Sequence, residues 1–218
     1  EARHMLLYPL FVTSWCLWDA MQAADWFGAK RVLVLSASSK TAIGLADALK
    51  RDPNAPQVTG MTSAGNVDFV TGLGLYDEVV TYDAADDLEI VDTVIVDMSG
   101  NAALMGRLHN RLGDAMRQTL DVGLTHWEAE RRDPGIIRDR SKFFFAPAHI
   151  AGRIKEWGPQ KFNETTQTFL TGSIADSARW MSLKTLDGLE ALAEIHPAAC
   201  AGTLDASEGL VVEVTQQA

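Results

Sequence analysis

The residues best suited to binding chemistry lie in one turn, between an apolar run and an amphipathic segment. VLVLSASSKTAIGLADAL (32–49) passes from a β-branched run through three serines to Lys40-Thr41. Hydroxyl groups, backbone amides and an ammonium group are the donors that proteins present to phosphate, and a helix N-terminus adds a favourable dipole. The turn therefore predicts a phosphate cradle, for either ATP or a dinucleotide.

The ATP alternative requires G-x-x-x-x-G-K-[ST], in which glycine amides wrap the phosphates and the lysine reaches the terminal ones. Lys40-Thr41 supplies the last pair, but Val34 and Ser39 stand where the two glycines belong. Asp97, at the end of TVIVD (93–97), stands where ATP-binding proteins place a magnesium-binding aspartate, but any buried strand that ends in Asp has this pattern. The missing glycines make ATP the less favoured interpretation.

The dinucleotide alternative requires G-x-G-x-x-G between a strand and a helix that packs on the sheet. Counted back from Gly44, these positions fall on Ser39, Thr41 and Gly44, so only the last glycine is present. Serine and threonine hydroxyls can donate hydrogen bonds where glycine offers backbone alone, and Ser38 or Ser39 can also cap the helix. We expect capping and phosphate binding to operate together.

The end of the second predicted strand bears on which dinucleotide is bound. NAD sites place a carboxylate there to bind the ribose hydroxyls. This sequence has TSAGN (62–66) instead, with no carboxylate before Asp68 and no arginine to hold a 2′-phosphate. Because a carboxylate would repel that phosphate, its absence favours NADP, with Ser63, Asn66 or Lys40 as phosphate donors.

Strand-like and helix-like segments alternate along the first half of the chain. Strands are predicted at 31–35, 57–62, 78–82, 93–98 and 117–123, and helices at 41–50, 67–73 and 104–112. This alternation predicts an α/β fold with a Rossmann-type, doubly wound parallel sheet. Ligands of such sheets bind beyond the carboxyl ends of the strands, which here are Leu35, Thr62, Met98 and Gly123.

The rest of the chain is less regular. A polar stretch begins at Thr125, and FFFAPAHI (143–150) is predicted as a short strand-like run. Residues 155–180 are predicted to be largely helical, and the segment from Leu183 to the end as a helix followed by a terminal strand. The domains expected are a lead-in helix region (1–27), a dinucleotide-binding domain (28–150) and C-terminal helices with a closing strand (151–218).

Composition excludes several classes of protein. Nineteen basic residues against 29 acidic ones give a net charge of −10, which argues against a nucleic-acid surface. Pro9, Asp19 and Asp25 interrupt the apolar segment 5–27, so we expect a buried helix there and no membrane span. Cys16 and Cys200 are predicted to be apolar fillers of a reduced, cytoplasmic protein. The opening Glu-Ala-Arg-His also favours a piece of a longer chain.

Several segments together resemble the cofactor domain of the medium-chain dehydrogenase/reductase superfamily. They are RVLVLSASSKTAIGLADAL (31–49), GLGLYDEVVTYDA (72–84), TVIVDMSGN (93–101), TLDVGLTHW (119–127) and the closing stretch 186–214. More narrowly, RHMLLYPLFVTSW (3–15), DMSGN (97–101) and the combination of GLTHW, FFFAP and RIKEWGP are similar to the DUF2855 group.

The resemblance implies a position for each part of a bound cofactor. Residues 36–41 would line the pyrophosphate, 62–63 the adenosine ribose, 98–100 the adenine or nicotinamide ribose, and 123–125 would follow the strand nearest the nicotinamide. The predicted cofactor-binding residues are Ser36, Ser38, Ser39, Lys40, Thr41, Thr62, Ser63, Asn66, Met98, Ser99, Gly100, Gly123, Leu124 and Thr125.

The resemblance also implies an activity. The chain would be the cofactor half of an NADP-preferring oxidoreductase of the quinone- or enoyl-reductase kind, with NAD possible, a small-molecule substrate and no assigned catalytic residue. Catalytic zinc in the superfamily is held mostly by an N-terminal domain that this chain lacks, so zinc independence is expected. Strands near FFFAP often pair across a two-fold axis there, which implies a homodimer. The alternative is a non-catalytic dinucleotide-binding redox sensor.

Some polar residues have competing interpretations. His126, next to Trp127, could relay a proton beside the nicotinamide or lie at the surface, whereas the histidines at 109, 149 and 196 are predicted to be structural. Four arginines could hold an anion, but the interleaved acidic residues favour a solvated, self-paired loop. These arginines are Arg131, Arg132, Arg138 and Arg140.

Overall fold

A six-stranded, all-parallel sheet forms the centre of the structure, a computed structural model that describes residues 1–122 and 135–214. Its strands are β1 (Arg31–Leu35), β2 (Gln57–Thr62), β3 (Glu78–Thr81), β4 (Thr93–Asp97), β5 (Met116–Asp121) and β6 (Ser141–Phe143). The strand order is β3-β2-β1-β4-β5-β6, so the chain reverses direction across the sheet between β1 and β4. This order is that of a Rossmann-type sheet, and the predicted fold class is confirmed.

Helices cover both faces of this sheet. They are α1 (Ala2–Ala23), α2 (Lys40–Arg51), α3 (Val67–Gly72), α4 (Ala102–Leu112), α5 (Ala146–Trp157) and α6 (Pro159–Asp176). Alternate strand residues point to opposite faces. Val32 and Val34 therefore pack with α1, α2 and α3, whereas Leu33, Leu35 and Ile95 pack with α4. Burial on both faces explains the unbroken apolar runs of β1 and β4.

The predicted strand bounds are accurate for β1 and β2. For β3, β4 and β5 the predicted strand extends one or two residues beyond the observed C-terminal end. The strand β4 ends at Asp97 because the carboxylate of Asp97 accepts hydrogen bonds from the amides of Ser99 and Gly100, which turns the backbone away from the sheet. β5 begins at Met116 and ends at Asp121, before Gly123, which lies outside the described residues.

Helix α1 confirms the expected buried helix. Leu7, Phe11, Trp15 and Cys16 are each at most 2% exposed, because α1 packs against α2, α5 and α6. Among the described residues, no helix is both long and apolar enough to cross a membrane.

The C-terminal part differs from its prediction in two places, at FFFAPAHI and at residues 182–187, and is largely helical over 155–180 as expected. The run FFFAPAHI is a strand only to Phe143, and α5 begins at Ala146 with Pro147 in its first turn, a position that suits proline. Gly158, with φ +85°, separates α5 from α6. Residues Ser182–Asp187 form a strand, β7, which pairs in parallel with β8 (Glu208–Glu213) and is joined to it through α7 (Gly188–Cys200).

Candidate functional site

The turn after β1 is held in place by its neighbours. Ser36 has φ +55°, a left-handed conformation that usually favours glycine, and its carbonyl accepts a hydrogen bond from the amide of Ser39 at 2.8 Å. The carbonyl of Ala37 accepts a hydrogen bond from the buried Tyr76 hydroxyl at 2.9 Å, and the Ala37 amide donates to Met61 in β2. These contacts fix the direction in which the chain enters α2.

Ser39 caps α2, as the sequence allowed. Its hydroxyl accepts a hydrogen bond from the amide of Ala42 at 3.3 Å, and its carbonyl accepts one from the amide of Ile43. The amides of Lys40 and Thr41 have no hydrogen-bond partner within the described part of the chain. Two donors at the positive end of a helix are therefore available to an anion.

A cluster of hydroxyl and amide groups joins this turn to the end of β2. The Asn66 side-chain amide donates to the hydroxyl oxygens of Ser38, at 3.1 Å, and Ser63, at 3.2 Å. The Thr62 hydroxyl lies 3.5 Å from that of Ser38. The structure thus brings together four residues that the sequence placed in two separate turns.

The turn after β4 completes this edge of the sheet. One carboxylate oxygen of buried Asp97 accepts hydrogen bonds from the amide and hydroxyl of Ser99, at 2.8 and 2.7 Å, and Gly100 follows with φ +66°. The Met98 sulfur lies 3.8 Å from the Ser39 hydroxyl and so links the turns after β1 and β4. Since that Asp97 oxygen organises its own turn, the geometry gives no support to a magnesium role for Asp97.

Lys40 is the cation of this site. Its side chain is half-buried, and its ammonium group has no hydrogen bond or ion pair among the residues that the structure describes. Burial lowers the pKa of Lys40 below its ordinary value, and the negative charge of Asp205 partly opposes that shift. A partly desolvated cation beside free helix amides favours the binding of a phosphate group.

Two clefts flank the turn after β1. The first, of about 490 Å³, lies beyond β4, β5 and β6, and the second, of about 680 Å³, lies beyond β2. The lining of the first cleft is mostly apolar and consists of Thr13, Ser39, Thr41, Met98, Val122 and residues 143–147. The second is more polar and is lined by residues 63, 65–66, 68–69 and 202–207.

The family follows from the match of most of the sequence. Residues 1–205 match the family described as a protein of unknown function, DUF2855. The chain is a member of the DUF2855 family. No curated protein matches this DUF2855 chain in sequence.

Solved structures share the fold of the DUF2855 chain at low sequence identity. CurA from Vibrio vulnificus in complex with NADPH is 15% identical, with a TM-score of 0.60, and the match covers 94% of this chain and 62% of CurA. The quinone oxidoreductase from Coxiella burnetii is 14% identical, with a TM-score of 0.58 and coverage of 92% and 58%. The CurK enoyl reductase is 14% identical, with a TM-score of 0.51 and coverage of 86% and 55%.

These likenesses confirm the expected medium-chain reductase resemblance at the level of fold. The DUF2855 chain spans less than two thirds of the length of each of these structures. In the described ranges 1–122 and 135–214, no group of three or more His, Cys, Asp or Glu side chains is placed to hold a metal ion.

Gly44, the last glycine of the dinucleotide fingerprint, lies where α1 and α2 come close together. A Cβ atom at Gly44 would lie 2.6 Å from Cδ1 of Phe11 and 2.7 Å from Oγ of Ser14, so its open side faces α1 and not the sheet. Ser14 donates a hydrogen bond to the Thr41 carbonyl at 2.7 Å. Helix α1 of the DUF2855 chain therefore positions the N-terminus of α2 through Ser14, a residue that no sequence motif indicates.

The predicted structural histidines fall into two groups. Buried His109 contacts the Thr119 hydroxyl at 2.9 Å and accepts a hydrogen bond from the Ile137 amide, and His149 lies 2.6 Å from the carboxylate of Asp19. Both therefore join elements of the fold, as expected. His196 instead lies on α7, exposed, beside Cys200.

The two cysteines differ from each other. Burial, followed by the charge of Asp19, raises the pKa of the Cys16 thiol to about 12, which fits an inert apolar filler. The same prediction for Cys200 is wrong, because this residue is exposed and its sulfur lies 3.6 Å from the Nε2 atom of His196.

The arginine group is described only in part. Arg140 was expected to pair with acidic residues of its own loop. Its guanidinium instead donates a hydrogen bond to the carbonyl of Met116 at 2.6 Å and lies 3.7 Å from the carboxylate of Asp114. Several predicted residues lie outside the described residues, namely Gly123, Leu124, Thr125, His126, Trp127, Arg131 and Arg132.

Proposed function

We propose that this chain is the cofactor-binding part of an NADP-preferring, zinc-independent oxidoreductase of the quinone- or enoyl-reductase kind. The observation that carries the proposal is that the amides of Lys40 and Thr41, at the start of α2, have no hydrogen-bond partner among the residues described. They lie at the switch point between β1 and β4, where Rossmann-type sheets bind dinucleotides.

Each part of a dinucleotide would meet suitable groups along this edge of the sheet. The diphosphate would accept hydrogen bonds from the amides of Lys40 and Thr41. The adenosine ribose and its 2′-phosphate would lie by Ser63 and Asn66, with the Lys40 ammonium as the counter-charge. The nicotinamide would occupy the cleft beside Met98, whose lining is mostly apolar. The cofactor would supply hydride transfer, while the chain binds and orients it.

The finer parts of this proposal have separate support. The fold is shared with CurA, whose structure contains NADPH, and with a quinone oxidoreductase and an enoyl reductase. The absence of a carboxylate directly after β2 favours NADP over NAD. Zinc independence rests on the superfamily pattern, in which most zinc ligands belong to an N-terminal domain.

A second candidate, a dinucleotide-binding redox sensor without turnover, is favoured by one observation. The described residues that line the apolar cleft include no titratable side chain, so these residues offer no general acid or base to a substrate. The full-length protein distinguishes the two candidates. Oxidation of NADPH in the presence of quinones or enoyl thioesters supports the oxidoreductase, whereas NADPH binding without oxidation supports the sensor.

A homodimer and a cytoplasmic location complete the proposal. The strand β6 lies at the edge of the sheet, and Phe143 and Phe145 stack there at 6.3 Å with more than half of each residue exposed. Pairing of two β6 strands would cover these rings. Sedimentation equilibrium tests the homodimer directly, since a monomer at micromolar concentration would contradict it.

Calorimetric titration of the purified chain tests the proposed ligand. We expect NADPH to bind more tightly than NADH, and both more tightly than ATP with magnesium, because the site lacks the glycines of an ATP-binding loop. Magnesium-dependent ATP affinity with no binding of either nicotinamide nucleotide would instead support the ATP alternative.

Lys40→Ala is expected to weaken NADPH binding by about tenfold or more, because it removes a charged hydrogen-bond donor from the phosphate. NADH should lose less affinity, since it carries no 2′-phosphate. The matched control is Lys50→Ala in the same helix, whose ammonium group lies at the surface, 3.5 Å from Asp77. Equal NADPH affinity of the Lys40 variant and wild type in calorimetry would contradict the assignment.

Ser63→Asp is expected to reverse the cofactor preference. A carboxylate at the end of β2 repels a 2′-phosphate and can accept hydrogen bonds from a free ribose, so NADPH affinity should fall about tenfold relative to NADH. Ser63→Ala serves as the control because it removes the hydroxyl without adding charge. If the aspartate variant weakens both nucleotides equally, Ser63 does not face the 2′-phosphate.

A further inference from the structure

The polar cleft beyond β2 has two walls from distant parts of the sequence. One wall contains Ser63, Asn66 and Asp68, and the other is the loop Gly202–Ser207 between α7 and β8. The hydrogen bond from Asn66 to Ser38 connects the first wall to the turn that precedes Lys40. The loop before β8 therefore lies across the place where the adenosine end of a dinucleotide would be bound.

Asp205 is the fixed charge of this loop. One of its carboxylate oxygens accepts hydrogen bonds from the amide of Ser207 at 2.8 Å and from the Ser207 hydroxyl at 2.7 Å. These bonds leave the second carboxylate oxygen available to a cation. They also hold the carboxylate within the loop that lines the cleft.

The charge of Asp205 acts on Lys40. Burial lowers the pKa of Lys40, and the negative charge of Asp205 opposes this shift. The hydrogen bonds from Ser207 lower the pKa of Asp205, and the positive charge of Lys40 lowers it further. No ion pair between the two side chains forms in the described structure. The charges of Lys40 and Asp205 therefore influence each other without an ion pair between the two side chains, and Asp205 itself lines the polar cleft.

We propose that Asp205 is a specificity-determining residue for the cofactor, whose carboxylate competes with the 2′-phosphate of NADP for Lys40 and so limits the preference for NADP over NAD. This inference rests on the proposed function. A 2′-phosphate held by Ser63 and Asn66 in this cleft would also lie near Asp205, which lines the same cleft, and the like charges repel. NADH has only a ribose hydroxyl at that position, so its binding is much less affected.

Asp205→Asn tests the proposal by removing the charge while keeping the shape. The asparagine oxygen can still accept both hydrogen bonds from Ser207, so the loop should keep its conformation. In calorimetric titrations of the purified chain, we expect NADPH affinity to rise about two- to fivefold relative to NADH affinity. An unchanged ratio in a variant that binds both nucleotides would overturn the proposal.

The double variant with Lys40→Ala shows whether Asp205 acts through Lys40. If it does, Asp205→Asn should leave the ratio of NADPH to NADH affinity unchanged once Lys40 is absent. The same rise in both backgrounds would indicate a general charge effect and would contradict the proposal. Asp114→Asn removes an equal charge from a fully exposed side chain and should not change the ratio.

The wild-type titration separates this inference from the proposed function. If wild type binds neither NADPH nor NADH, the proposed function fails, and the role of Asp205 fails with it. If wild type binds both nucleotides and the Asp205 variant shows the wild-type ratio, only the role of Asp205 is refuted.

Discussion

Asp19→Asn is expected to lower the free energy of unfolding by about 3 kcal/mol, because it removes the buried charge that accepts two hydrogen bonds, from His149 and Arg153. Asp19 is 4% exposed, and its carboxylate lies 2.6 Å from the Nε2 atom of His149 and 2.6 Å from the Nε atom of Arg153. These contacts hold α5 against α1, the helix that positions the start of α2. Urea denaturation followed by circular dichroism measures the loss.

The loss of unfolding free energy in Asp19→Asn should become smaller as the pH falls. Burial alone would raise the pKa of Asp19, but the hydrogen bonds from His149 and Arg153 outweigh it and lower the pKa below its ordinary value. A group with a lowered pKa stabilises the fold above its unfolded pKa of about 3.9, and this stabilisation disappears as the pH falls through the folded value. The difference between wild type and Asp19→Asn should therefore shrink below about pH 4.

An exposed ion pair provides the control for Asp19. Asp86 lies 2.6 Å from the guanidinium of Arg107 at the surface, so Asp86→Asn should change stability little at any pH. If the Asp86 and Asp19 variants lose similar stability, the buried cluster does not carry the stability assigned to it.

Gly44→Ala is expected to lower the free energy of unfolding by about 2 kcal/mol, since a methyl group there would overlap side chains of α1. The nearest atoms, 2.6 and 2.7 Å from the added carbon, belong to Phe11 and Ser14, and because Phe11 is buried, its displacement would disturb the packing of α1. Alanine is the better helix former by about 1 kcal/mol, so the overlap must outweigh that gain.

The same substitution should also weaken NADPH binding, because separation of α1 from α2 removes the hydrogen bond from Ser14 to the Thr41 carbonyl. Gly152→Ala, in the exposed part of α5, is the matched control, since an added Cβ there meets no atom within 4 Å. It should stabilise the protein by about 0.5–1 kcal/mol. Stabilisation by both substitutions would show that α1 does not press against Gly44.

The central sheet could be predicted from the sequence because its strands are buried on both faces. Residues 32–35 and 94–96 are unbroken apolar runs, a pattern typical of parallel strands covered by helices. The serines of the first turn and the residues after β2 could also be placed at one edge, since parallel strands share their carboxyl ends. The hydrogen bonds from Asn66 to Ser38 and Ser63 are consistent with that reasoning.

Features that depend on tertiary contacts could not be predicted. The strand β7 is mostly exposed and is defined by pairing with β8, which the chain reaches only after α7. Spacing identifies Gly44 as the last glycine of the dinucleotide fingerprint, but it does not reveal that α1 is the element that approaches this glycine. No local pattern connects Asp205 to Lys40, which lies at the other end of the chain.

A crystal structure of this chain grown with saturating NADPH tests the central claim most directly. The predicted result is a cofactor whose diphosphate accepts hydrogen bonds from the amides of Lys40 and Thr41, with the adenosine toward Ser63 and the nicotinamide in the apolar cleft. A nucleotide bound elsewhere, or a turn after β1 left without ligand at a concentration that saturates binding in solution, would contradict it.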